Sequence, residues 1–186
     1  LSYTHCDHGL CGAHLLRELT FIVEANGYAW ARNMKQLLKD TCNTVSKRKR
    51  KKLTQSEYQN LQKRYRNLLT QGEQELPEIP KKAKGRRGRI AKSDAHNLWE
   101  RLKNHEFAVL LFAKDANVSF TNNRAERDLR MSKVKQKVSG CFRSVEMAHA
   151  YCRISSYLQT MANKGINPLI AIQMAFAKQF DPRLGE

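Results

Sequence analysis

Residues 121–137 read TNNRAERDLRMSKVKQK. Two carboxylates, Glu126 and Asp128, stand among six cationic side chains: Arg124, Arg127, Arg130, Lys133, Lys135 and Lys137. Two chemistries suit such a stretch. A carboxylate can hold Mg²⁺, which prefers oxygen ligands, and ions so held can act on a phosphodiester bond. The surrounding cations can hold the phosphates of a polyanion. Plainer readings exist beside both. With Asn123 as N-cap, Glu126 falls at the third helical position, from which its side chain reaches back to the cap amide. A lone Glu cannot perform two-metal chemistry, so two further carboxylates would have to be brought beside it. The cations could form a solvated helix face, but two acids cannot pair with six bases at i,i+4 spacing.

A second group of reactive side chains lies at the start: His5, Cys6, His8, Cys11 and His14. Structural zinc wants thiolates and imidazoles in matched pairs. The spacing Cys6-x₄-Cys11-x₂-His14 is irregular, and no second Cys/His pair follows nearby. The residues by themselves favour Cys11 as a small buried hydrophobe at a strand-to-helix junction. No phosphate-binding glycine loop, nucleophile elbow or dinucleotide fingerprint occurs. The glycine–arginine run GRRGR (85–89), with Arg86 and Arg87, suits nucleic acid better than a nucleotide fold.

The elements that must position these groups read as helices. Leu15, Leu19, Ile22 and Val23 recur at helical spacing within 14–40, and Gly27 is expected to break or bend that stretch. After the charge run SKRKRKK (46–52), a helix is expected from about Thr54 to Gly72, with Thr54 and Glu57 as a capping box. The stretch 76–93 holds two prolines, two glycines and seven basic residues, and reads as a loop. A helix from Ser93 or Asp94 to about Lys103 follows, then the apolar segment EFAVLLFAKD. The next helix is expected to begin near Asn122 or Asn123 and to carry Glu126 and Arg130 one turn apart. Ser144 caps a further helix with Met147, Tyr151, Ile154, Leu158 and Met161 on one face, Gly165 sits at its C-cap, and Asn167-Pro168 starts another. The one candidate strand is Val138–Phe142.

The totals narrow the function. The chain has 186 residues, 34 Lys and Arg against 17 Asp and Glu, and a net charge of +17. Such an excess repels itself in a compact state, and a polyanion relieves the repulsion, so nucleic acid leads and an anionic membrane surface follows. No apolar run is long enough to span a bilayer, and the first residues do not form a signal peptide. Five scattered cysteines suit reduced thiols in a cytoplasmic setting.

Three phrases go beyond pattern: CGAHLLREL (11–19), SFTNNRAERDLRMSKVKQKVSGCF (119–142) and YCRISSYLQTMANKGINPLIAI (151–172). Together they closely resemble bacterial DDE-class transposases of the insertion-sequence-66 family, in order along essentially the whole chain. The resemblance implies a mainly α piece of a partial RNase H-like α/β core with a helical insertion. Residues 1–20 would end a core segment, 21–115 would be the basic insertion with its loop at 76–93, and 116–186 would carry the Glu-bearing and C-terminal helices. It implies Glu126 as the last of three acids binding two divalent ions (Mg²⁺ or Mn²⁺). Cys11 and His14 would be the C-x-x-H pair, with Asn122 and Asn123 adjacent to the active site. Arg124, Arg127, Arg130, Lys133, Lys135, Lys137, Arg86 and Arg87 would bind DNA.

The resemblance also sets limits. The family's first two aspartates lie upstream of the C-x-x-H pair, and Asp7 does not match either. The expectation is a C-terminal part of a nucleoid-associated transposase, with no ion bound tightly and no strand transfer by itself. Self-association is expected, because Leu15, Leu19, Ile154 and Leu158 would be left uncovered by the missing sheet. Small accessory proteins of the same element are possible partners. The alternatives are a non-enzymatic DNA-binding remnant and a basic RNA-binding protein.

Overall fold

The computed structural model describes residues 5–79 and 92–177, and among these the chain is helical with no strand. It packs as two units, Leu1–Asn122 and Asn123–Glu186.

In the first unit, α1 (Gly12–Asn26) and α2 (Ala29–Lys47) meet at Gly27, whose φ of 71° closes α1 with a left-handed turn open to glycine at little cost. Leu15, Leu19 and Ile22 of α1 are buried with Trp30, Met34 and Leu38 of α2 in one core. The expectation that Leu15 and Leu19 lie uncovered is therefore corrected. Their partner is the apolar stripe of α2, so no sheet is needed to bury them.

Helix α3 (Gln55–Glu75) starts from the expected capping box, with Thr54 and Glu57 exchanging hydrogen bonds. At its far end the Glu75 carboxylate accepts from the amides of Ala29 (2.8 Å) and Trp30 (3.1 Å). These are orphan donors of the first turn of α2, whose own N-cap, Tyr28, offers no side chain. A negative charge there also meets the positive end of the helix dipole.

Helix α4 (Asp94–Asn104) is capped by Ser93. Among the described helices, α5 (Glu106–Lys114) is the one buried nearly all round, from Ala108 to Ala113. Both of its flanks serve upstream backbone. Ala108 accepts from the amide of Leu10 (2.9 Å) and Ala113 from that of Leu53 (2.8 Å). Tyr65 donates its hydroxyl to the Leu102 carbonyl (2.9 Å) and Trp99 its indole N–H to the Leu69 carbonyl (2.8 Å), so these two buried aromatics of α3 and α4 are satisfied across the interface.

Arg48 holds both oxygens of Glu57. Hydrogen bonds from Arg48 first, then from the Thr54 amide and hydroxyl, draw the Glu57 carboxyl down to about 2, from an ordinary value of 4.5. A carboxyl depressed in the folded state stabilises it above the unfolded pKa, and that contribution is lost as pH falls through the folded one. Glu57→Gln is therefore expected to flatten the loss of stability between pH 4.5 and 2. Urea midpoints across that window check this, and an acid limb identical to that of the unaltered chain would refute it.

In the second unit, α6 (Asn123–Asp128) is short and is followed by α7 (Arg130–Ser139). The expected single helix bearing Glu126 and Arg130 is corrected to two. Leu129 has ψ −6°, far from the helical value of about −42°, and separates the two helices although its N–H still donates to Ala125 and its carbonyl accepts from Lys133. The candidate strand at Val138–Phe142 is also corrected: Val138 lies in α7, and Gly140 ends that helix at φ 74°. The β-favouring Val134 and Val138 stand four apart, a helical spacing that the local composition concealed.

Helix α8 (Val145–Asn163) begins at Ser144 as expected. It ends in a Schellman motif, with Ile166 donating to Met161 (2.9 Å) and Gly165 to Ala162 (3.0 Å). Asn167 caps α9 (Pro168–Phe176), and the Tyr157 hydroxyl donates to the Ala171 carbonyl (2.9 Å). Met161 and Ala171 are buried, while Ile154, Leu169, Ile170 and Phe176 are exposed and Leu158 is half-buried.

Candidate nucleic-acid interface

The first unit positions Cys11 at the N-cap of α1, with extended backbone (φ −68°, ψ 111°). The segment before it is held against residues 118–122. Gly12 donates its amide to the Phe120 carbonyl at 2.7 Å. Any side chain at Gly12 would enter the Phe120 ring, since a Cβ would come within 2.3 Å of it. That ring in turn packs edge-on against Phe112, with centroids 4.7 Å apart.

This pairing carries Asn122 to Cys11. The Asn122 amide donates to Cys11 Sγ at 3.3 Å. Burial raises the thiol, but hydrogen bonds from the Asn122 amide, the His14 side chain and the amides of His14 and Ala13 outweigh it and leave it below its ordinary value. A helix N-terminus favours the thiolate in the same way. Cys11, His14 and Asn122 are thus brought together. Cys11 is half-buried at a coil-to-helix junction and accepts a hydrogen bond, rather than being the buried small hydrophobe of the sequence reading.

In the second unit, Glu126 lies half-buried in the first turn of α6, with Asn123 exposed at its start. Arg124 and Arg127 on α6 are exposed, as are Arg130, Lys133, Lys135 and Lys137 on α7. Arg130, Lys133 and Lys137 recur at i, i+3 and i+7, so they line one side of α7. Each is a long cation whose head stands in water, able to meet a phosphate without first leaving a buried partner. Arg86 and Arg87 lie outside the described residues.

The sequence reading missed the Cys11–Asn122 pairing and the demand for glycine at position 12. The local signal was the C-x-x-H spacing, which puts His14 one turn into the helix that Cys11 starts. What it lacked was Phe120, more than a hundred residues away. No helix among the described residues is long and apolar enough to cross a membrane.

A family model described as Transposase IS66 family matches residues 2–150. Among curated proteins and among solved structures, nothing matches.

Proposed function

This chain belongs to the IS66 transposase family, and from that premise we propose that it grips the DNA backbone during transposition, beside a carboxylate of the strand-transfer site. The observation carrying the reading is the exposed cationic set of α6 and α7 around Glu126, within the span that the family covers. Duplex DNA offers one phosphate charge per about 1.7 Å of its axis, and cations that replace its condensed counterions gain affinity from their release.

The family's chemistry calls for divalent ions, and the residues of α6 do not fit one by themselves. Magnesium takes six oxygens in near-ideal octahedral geometry. Glu126 and Asp128 are two positions apart on α6, so they do not face one another. The helix offers one carboxylate to a given point. We infer that the intact transposase, an RNase H-like enzyme using Mg²⁺ or Mn²⁺ at the nucleoid, completes its site with acids beyond this helix. The chain on its own binds DNA without transferring strands. Its exposed apolar residues on α8 and α9 suit self-association or a small accessory protein.

The test is duplex binding by this chain across a salt series. Log Kd should rise with log salt, and changing Arg130, Lys133 and Lys137 to Gln should lower the slope by about 0.9 for each phosphate that is no longer neutralised. Salt-independent binding, or a preference for single-stranded RNA beyond about tenfold (1.4 kcal/mol), would overturn the DNA reading.

A further inference from the structure

The charge run SKRKRKK (46–52) has no part in the roles above. In the structure Ser46 and Lys47 end α2 and residues 48–52 form a tight turn before α3, pinned at three places. Arg48 is engaged by Glu57. Lys51 adopts a left-handed φ of 50° and donates its Nζ to the Ser46 carbonyl. Leu53 donates its amide to Ala113 at the end of α5, which brings the next residue, Lys114, alongside the turn.

Two of the turn's cations are thus occupied in holding its shape. Lys49, Arg50 and Lys52 are exposed, and with Lys114 they line a cleft of about 660 Å³ that no carboxylate lines. Tyr58 lines it too. Its hydroxyl is buried and has no hydrogen-bond partner. A pre-shaped turn loses less entropy on binding than a flexible basic tail would.

We propose that this cleft is a second phosphate-backbone site for duplex DNA, carried by the first unit and independent of α7. Lys49, Arg50, Lys52 and Lys114 meet successive phosphates. The inference rests on the reading of DNA as the partner, and adds where the first unit holds it. A small anion would meet one or two of these cations, whereas four exposed ones across an open cleft match a repeating polyanion.

The experiment uses the whole chain and a duplex long enough to engage both units. Lys49, Arg50 and Lys52 are changed together to Gln. A control changes Arg32, Lys35 and Lys39 of α2, about 13 Å or more along the helix from Arg48 at 1.5 Å per residue. Circular dichroism establishes that both variants keep their helix. The turn variant should bind at least about tenfold more weakly near 100 mM salt, its slope reduced by roughly 2 to 3, with the control close to the unaltered chain. Equal losses in both variants would mean diffuse attraction and overturn the site. So would an unchanged affinity and slope in the turn variant while the unaltered chain binds, an outcome that leaves the DNA reading standing. Failure of the unaltered chain to bind any duplex would overturn both.

Discussion

Glu126→Gln in the complete transposase is expected to lower strand transfer by at least about a thousandfold, equivalent to roughly 4 kcal/mol of transition-state stabilisation. DNA affinity should change less than about twofold. The substitution separates the two readings of Glu126 because Gln serves nearly as well as Glu at the third position of a helix. A helix-starting role therefore survives the change. A role that needs the negative charge does not, and the neighbouring cations proposed to hold DNA are untouched. Strand-transfer rates and a binding isotherm on the same preparation decide it. Transfer within about tenfold of the unaltered enzyme would leave Glu126 as a helix-starting residue only.

The second large effect is on folding. Gly72 lies within α3 where two indoles close over it: a Cβ there would stand 2.9 Å from Trp99 and 3.0 Å from Trp30. Both rings are buried, and neither is the loose end of a flexible side chain. Gly72→Val should cost about 3 kcal/mol, the upper range for overpacking a close-packed core. Gly72→Ala should cost less, because the gain in helix propensity, about 1 kcal/mol, offsets part of the clash. Trp30 and Trp99 are the only tryptophans in the sequence, so intrinsic fluorescence reports this core directly. A thermal midpoint for Gly72→Val within about 2 °C of the unaltered chain would show that the indoles give way easily.

The sequence announced what is decided locally. Thr54 with Glu57, Gly27, Ser144, Gly165 and Asn167-Pro168 mark helix ends because capping depends on residues within a turn or two of each other. What it concealed depends on distant parts of the chain. Gly72 reads as the end of a helix, and the chain continues helical to Glu75 with Trp30 and Trp99 closing over that position from other elements. Leu15 and Leu19 read as a face awaiting a sheet until α2 covers them. The two-helix arrangement of 123–139 turns on one dihedral at Leu129, where no proline or glycine marks the place. For the candidate site, the cations of α6 and α7 and Glu126 were legible as residues. The closeness of Asn122 to Cys11 was not, since it depends on the Gly12–Phe120 pairing.

Helix α5 bears on how the first unit comes to be made. It is the last helix of that unit to leave a ribosome, yet it is buried on nearly all sides and its carbonyls receive amides from Leu10 and Leu53. While synthesis is short of residue 113, α1 to α4 can pack on one another, but the parts of α2 and α4 that α5 covers remain open to water. Closure of that part of the core must then come late, with Leu10 and Leu53 seated as α5 arrives. The basic stretches already made by then, above all 46–52, would keep nascent chains repelling one another during the wait.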